Sequence, residues 1–308
     1  MYPVLFTIPG IDLPIHAYGV LLGIAVVTGW LLVRRSAATA GISRASIDRL
    51  VLIGILGGLL GARVLHIALA PRFYSISDPL SFLLPSRGGM VAYGGFLGGA
   101  AAVALASRRM SLAFLAVADL FIPSVAAGLG ITRIGCLLYG CVHGAPVPAS
   151  APAFVHHLGI RFPDWQQRFP WLQHHVDNGI SSLQGAPAYL LHLHEGLIAP
   201  GATESLAVYP TQILFSLNGW IAFALLALLS RRKNRFTGQL FLAFTMYYGA
   251  TRAILECLRG DVDRGMLAGL SVSQWIGIGT AVVAACFYRR WRPGRNADSP
   301  HSSASSLR

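Results

Sequence analysis

Charge is scarce in this chain. Asp, Glu, Lys and Arg make up 12% of its 308 residues, against about 25% in an ordinary soluble domain, so a water-facing surface of normal extent is excluded. Cysteine is scarce too. Four in 308 residues cannot be the framework of a disulfide-built fold. Cys257 and Cys286 read as small apolar core residues, and Cys136 and Cys141 flank the outer end of an apolar run. On a regular helix that last spacing does not place two thiols side by side, so joining them needs a break in the helix. Zinc-ligand spacings of the H-x3-5-H or HExxH kind are absent, although His156, His157, His174, His175, His192, His194 and Glu195 crowd one region. They read as solvated or interfacial histidines, and no metal is expected. No Lys or Arg precedes the first apolar run, which excludes a cleavable signal peptide.

What is present is hydrocarbon. Apolar residues reach 54% and mean hydropathy is +0.59. Runs of about 20 apolar residues can cross a bilayer, and seven are read here, near 16–33, 50–70, 89–107, 112–133, 210–230, 238–258 and 269–288. Every second loop is basic: Arg34, Arg35, Arg44 and Arg49; Arg108 and Arg109; Arg231, Arg232, Lys233 and Arg235; Arg289, Arg290, Arg292 and Arg295. Basic loops face the cytoplasm, which puts the N-terminus outside and the C-terminus inside. The net charge of +12 is then a topology signal, and no nucleic-acid partner is needed to explain it. The expected fold is an all-α integral membrane protein, a seven-helix transmembrane bundle with a small extracytoplasmic head. Its boundaries are 1–140 for helices one to four, 141–208 for the head, 209–290 for helices five to seven and 291–308 for a disordered cytoplasmic tail. The head's Phe154, Phe162, Trp165, Phe169, Trp171 and Tyr189 are of the kind that floats at a membrane interface.

Against this background three charges stand out. Arg133 ends the apolar run from 114, and Arg252 and Glu256 lie inside the run 240–258. A charge at the bilayer centre costs about 2.5–3.5 kcal/mol on insertion scales and therefore faces a partner or a wet cavity. Two guanidinium forks in one bundle suit a phosphate. The competing reading is a structural Arg252–Glu256 pair with a snorkelling Arg133. Glycines at 54, 57, 58, 61, 94, 95, 98 and 99 suit close helix packing. The stretch 88–95, flanked by Arg87 and carrying Tyr93, also offers a helix N-terminus where backbone N–H groups meet an anion.

Several motifs follow one another along this frame: His16-Ala17-Tyr18-Gly19, Gly61-Ala62-Arg63, Gly88-Gly89-Met90-Val91-Ala92-Tyr93-Gly94-Gly95, and Asp119 with Pro123. Arg133-Ile134-Gly135-Cys136-Leu137-Leu138-Tyr139-Gly140-Cys141-Val142-His143-Gly144 comes next, then Tyr209-Pro210-Thr211-Gln212. Tyr248-Gly249-Ala250-Thr251-Arg252-Ala253-Ile254-Leu255-Glu256 closes the series. In this order the chain resembles the prolipoprotein diacylglyceryl transferase family over about 1–145 and 208–290, with the head poorly matched.

The resemblance implies transfer of a diacylglyceryl group from phosphatidylglycerol to the lipobox cysteine of a preprolipoprotein. The setting it implies is the bacterial plasma (inner) membrane, the first step of lipoprotein maturation, with the active site toward the outer leaflet among membrane lipids and no cofactor. It implies Arg133, Arg252, Glu256, Tyr93 and Tyr18 as catalytic residues. Tyr248, Gly94, Gly95, Cys136, Gly140, Gly144 and Arg63 would bind substrate. The two arginines would neutralise the departing phosphate, Glu256 would orient Arg252, and Tyr18 and Tyr248 would offer hydroxyls to the headgroup. The chain departs from the family's pattern at Tyr93 (usually His), Cys136 (usually Asn), Cys141 (usually Glu) and Phe215 (usually Glu). These changes leave the base for the incoming thiol open, with Glu256 and His143 as candidates. Two other readings stay open: a divergent relative serving another acceptor, and a non-catalytic lipid-binding or transport protein.

Overall fold

The computed structural model describes residues 1–10, 12–71, 74, 82, 90–177, 183–261 and 265–291. Arg87, Gly88, Gly89 and the tail from 292 onward lie outside the described residues, and with them the anion-site reading of stretch 88–95 and the tail boundary.

The chain is mostly helical, with long helices α1 (Ala17–Ala37), α2 (Arg44–Leu69), α3 (Ala92–Arg109), α4 (Phe114–Tyr139), α5 (Thr211–Ser230), α6 (Gln239–Glu256) and α7 (Val272–Trp291). Of these, α1, α2, α4 and α5 are long and apolar enough to cross a membrane. The fold is not purely α. The first sixteen residues, which carry no element in the sequence reading before the first span, form a hairpin, β1 (Val4–Ile8) against β2 (Leu13–His16). A second, minimal hairpin pairs β3 (Met266–Leu267) with β4 (Leu270–Ser271) just before α7.

Apolar side chains cover the outside of the bundle. Leu60, Leu97 and Ile254 are each more than 60% exposed, the pattern of helices whose outer faces meet lipid. Without a hydrophobic drive between helices, contact depends on close backbone approach. At the α2–α3 crossing a Cβ on Gly61 would strike the Gly94 carbonyl, and one on Gly94 would strike Gly61 and Leu65. Gly94 and Gly95 therefore lie against α2, at Gly61 and Gly58. Cys257 and Cys286, read as core residues, are instead exposed. Small apolar side chains are as well solvated by lipid as by protein, so hydropathy cannot tell the two surroundings apart.

Two pins fix α4 beside α6. At one end Asp119 accepts from the N–H groups of Gly238 (2.8 Å) and Phe241 (2.9 Å). It thereby caps a helix whose own N-cap, Gly238 at φ +91°, has no side chain to do so. At the other end the strand-like residues 143–145 pair with 258–260. Ala145 N–H donates to Leu258 (2.9 Å), Gly260 N–H donates to His143 (3.1 Å) and Gly144 bridges to Arg259. Arg133 stands fourteen residues beyond Asp119, and Arg252 fourteen beyond Gly238. At 1.5 Å per residue both guanidinium-bearing positions lie about 21 Å from the shared pin, at one depth.

Residues 141–208 carry short helices Ala153–Leu158, Trp165–Arg168, Leu172–Asp177 and Pro187–His194. They pack around a core of Phe162, Trp165, Leu172, Leu183, Ala186, Ala188, Tyr189 and Val208, to which Val4 of β1 also belongs. Of the aromatics assigned to an interface, Phe162 and Trp165 are fully buried and Tyr189 nearly so, while Phe154 and Trp171 are exposed. His175 and His192 are buried rather than solvated. The segment has enough apolar area to build a core of its own, which a residue-by-residue reading of amphipathic types does not reveal.

Replacing Asp119 by Ala removes both cap acceptors. Thermal unfolding in detergent is expected to show a loss of about 1–2 kcal/mol. An unchanged midpoint would show that α6 does not need this cap.

Candidate active site

The site grows from buried charge on α6. Glu256 is 1% exposed and is held from both sides: Arg252 forms an ion pair with it one turn back, and Arg259 Nη1 donates to both carboxylate oxygens at 3.2 Å. Arg259 in turn forks onto Asp261, Nε to Oδ1 at 2.9 Å and Nη2 to Oδ2. Burial alone would push the Asp261 carboxyl up, but the hydrogen bonds and charge of Arg259 hold it below the usual carboxylate range. Arg259 is held charged by the same contacts and by Glu256, against its own burial. The sequence places Arg259 in the loop after the sixth span and gives it no role. Its signal was the spacing Arg-x-x-x-Glu-x-x-Arg, which puts all three on one helical face.

Arg133, on α4, approaches from the other side. Its guanidinium lies 5.2 Å from the centroid of the Phe215 ring, and that of Arg252 lies 4.8 Å from the same ring. Phe215 is 3% exposed. Two cations thus rest on one buried aromatic, which attracts them through its quadrupole without neutralising either. Arg133 Nη1 also reaches the Cys136 sulfur at 3.7 Å. Among the described residues Arg133 makes no ion pair with a carboxylate. The chain Arg252–Glu256–Arg259–Asp261 balances internally, so the cluster as a whole carries one surplus positive charge, at Arg133.

Tyr248 stacks on Phe244 with centroids 5.3 Å apart and planes at 10°, and its hydroxyl is near enough to interact with both guanidiniums. Tyr18 arrives through the α1–α4 contact, where Gly135 leaves room: a Cβ there would sit 3.3 Å from the Tyr18 backbone. Tyr18 is 38% exposed and lies within electrostatic reach of Cys136, Cys141 and Arg133. Gly140 caps α4 in the left-handed region at φ +86°, and Gly144 fits against Tyr209 where a Cβ would collide with its backbone. The turn between them is stitched to the start of α5, with Thr211 Oγ1 donating to Val142 (2.7 Å) and the buried Gln212 Nε2 to Cys141 (2.9 Å).

The structure therefore brings together Arg133, Arg252, Glu256, Cys136, Tyr18 and Tyr248, with Gly140 and Gly144 shaping the turn beside them. It places Tyr93 on α3 beside Gly94, with no contact to the arginine cluster among those described. Arg63, on α2, donates from Nε to the Phe82 carbonyl at 3.0 Å and lies over the Tyr74 ring. His143 is buried, Nδ1 facing the Gly144 carbonyl at 3.1 Å, and packs edge-on against His192. Among the described residues no three His, Cys, Asp or Glu side chains converge as a metal site.

The family model for prolipoprotein diacylglyceryl transferase matches residues 3–290, so the likeness runs through the head as well as the helices. The chain is similar to the phosphatidylglycerol–prolipoprotein diacylglyceryl transferase of Clostridium tetani, at 29% identity over 92% of this chain and 95% of that one. A second relative is phosphatidylglycerol–prolipoprotein diacylglyceryl transferase 2 of Clostridium perfringens, at 29% over 86% and 87%. The enzyme of Nitrosomonas europaea is 31% identical over 77% and 70%.

Substituting Glu256 by Ala would strip both flanking guanidiniums of their shared carboxylate. Removing one partner from a buried ion pair costs about 3–5 kcal/mol, so the variant is expected to unfold at markedly lower temperature in detergent. The double variant Glu256→Ala, Arg259→Leu should recover part of that loss. A Glu256→Ala protein as stable as the parent would contradict the arrangement.

Proposed function

The chain belongs to the prolipoprotein diacylglyceryl transferase family and is a multi-pass bacterial membrane enzyme that transfers diacylglyceryl groups, and from that premise we propose that its donor is phosphatidylglycerol and its acceptor the lipobox cysteine of a preprolipoprotein. The observation that carries this reading is the surplus charge at Arg133. A phosphodiester headgroup bears one negative charge, and a half-buried cation resting on an aromatic ring and a thiol, with no carboxylate partner among the described residues, is suited to receive it.

In this reading the acceptor sulfur attacks the saturated glyceryl carbon next to the phosphate. A carbon–sulfur bond forms, the carbon–oxygen bond to phosphate breaks, and glycerol phosphate leaves with the bonding electrons. The proton lost by the thiol is balanced on the released phosphate. Charge on phosphate rises as that bond breaks, so Arg133 and Arg252 stabilise the transition state more than the bound lipid. Glu256, held by Arg259, keeps Arg252 aimed. Tyr18 and Tyr248 offer hydroxyls to the headgroup, with the turn at Cys136, Gly140 and Gly144 beneath it. Tyr93 and Arg63, on α3 and α2, would contact the lipid, while Gly94 and Gly95 act by letting those two helices approach. All seven long helices span the inner membrane, N-terminus outside and C-terminus cytoplasmic, with the site toward the outer leaflet and 141–208 as an extracytoplasmic head. The basic residues at Arg34, Arg109, Arg231 and Arg289 support that orientation.

Purified protein in phosphatidylglycerol bilayers, given a peptide with a lipobox cysteine, should yield a diacylglyceryl thioether by mass spectrometry, and none on the Cys→Ser peptide. Arg133→Gln should lower the rate about 10²–10³-fold, the effect of losing one preorganised charge at a developing anion. Full activity in that variant would sink the clamp. Folded protein without product would point to another acceptor.

A further inference from the structure

The turn that ends α4 brings two thiols together. On an uninterrupted helix Cys136 and Cys141 would point apart. Gly140 breaks the helix: at φ +86° it adopts the left-handed conformation, and its N–H donates to the Cys136 carbonyl at 2.8 Å. Such a cap folds the following residue back over the last turn of the helix. Cys141 Sγ accordingly lies 4.0 Å from the Cys136 carbonyl oxygen, and the two side chains are within hydrogen-bonding reach of each other. The backbone on either side is fixed. Gln212 holds the Cys141 carbonyl, Thr211 holds that of Val142, and Gly260 holds that of His143. Cys136 is buried beside Arg133 and Cys141 is half-buried, so one of the two sulfurs is the more accessible.

We propose that Cys136 and Cys141 form a reversible disulfide that switches the enzyme off. The step is thiol–disulfide exchange with an oxidising disulfide of the extracytoplasmic space, where such bonds persist. Cys141, the more exposed thiol, meets the oxidant first and forms a mixed disulfide. Cys136 then displaces it. The Cys136–Cys141 bond forms, the oxidant's sulfur–sulfur bond breaks, and both thiol protons leave with the oxidant's two reduced sulfurs. The Cys136 sulfur that Arg133 touches at 3.7 Å is thereby drawn into a covalent bond toward Cys141, and the guanidinium loses the partner that holds it over Phe215. The acceptor substrate is itself a thiol, so conditions that oxidise acceptors would also silence the enzyme. The bond stands on geometry alone, while its effect on transfer rests on the function proposed above.

The test treats the full-length protein in phosphatidylglycerol bilayers with oxidised glutathione, then blocks free thiols by alkylation and cleaves at Tyr139. Expected is a pair of peptides held together through Cys136 and Cys141, separated by dithiothreitol, with Cys257 and Cys286 unlinked. Transfer to the lipobox peptide, measured on the same samples with the oxidant removed, should fall to a small fraction and return on reduction. Cys141→Ser should keep the reduced rate and lose the response to oxidant. Unlinked Cys136 and Cys141 after treatment, or a linked protein with undiminished transfer, would overturn the proposal. If the reduced protein makes no thioether at all, the linkage readout still decides whether the disulfide forms, and the missing product counts against the donor and acceptor reading.

Discussion

One buried carboxylate organises the charged interior. Glu256 has no access to water, and it is tolerable there because Arg252 and Arg259 share it. An isolated carboxylate in such a place would protonate or unfold the helix that carries it. The dependence is mutual: Glu256 offsets charge on both guanidiniums, and Arg259 takes Asp261 as a second partner. Alternating charge along one helix face and into the next loop lets four ionised groups sit where hydrocarbon dominates. The arrangement is expensive to assemble, and replacing it by apolar side chains would be at least as stable in most proteins. Its retention is therefore an argument for use rather than for stability.

Use requires the fifth charge to be in register with the other four, and that is a backbone problem. Arg133 belongs to a different helix from Arg252, so their relative depth depends on how α4 and α6 are set against each other. Asp119 fixes one end by capping α6, and the pairing of 143–145 with 258–260 fixes the other. Glycine makes the second pin possible. At Gly260 the two segments approach so closely that a side-chain carbon would meet the backbone of Gly144 and Ala145, and at Gly144 one would meet the backbone of Tyr209. Phe215 then fills the space between the arginines from α5, a helix tied by Thr211 and Gln212 to the same turn. Three helices converge on one ring because one short turn, 140–145, binds all of them.

Much of this was legible in the sequence, and the misses share a cause. The Arg252–Glu256 spacing is local, and so is the signature of close-packed glycines. Arg259 went unread because it falls past the apolar run, although it continues the same face at i+3 from Glu256. Asp119 could be seen to lie in a helix, but its partners Gly238 and Phe241 are far along the chain, and nothing in composition links them. Phe215 read as a carboxylate missing from a familiar pattern, and its place between two guanidiniums emerged only in three dimensions. The cysteines at 136 and 141 carried a correct condition, that a break in the helix must intervene. Glycine at 140 was that break, identifiable once its positive φ was seen. Phe162, Trp165, Tyr189, His175 and His192 in the head were misread by type, because burial there depends on a core built from β1 and residues 160–208 together.

The aromatic at 215 bears on how the site selects its ligand. A carboxylate in that position would lie within reach of both Arg133 and Arg252 and would cancel the surplus charge. With Phe215 there, the cluster holds three arginines against two acids among the described residues, which leaves one positive charge unbalanced. Cation–π contact steadies the guanidiniums at about 0.5–2 kcal/mol each, far less than an ion pair in the same dry surroundings would. On the proposed reaction, a guanidinium held so lightly would give up its ring for phosphate oxygens at little cost. In that reaction the ring at 215 leaves the charge of both guanidiniums to the phosphate, where the carboxylate usual in the family's pattern would share it.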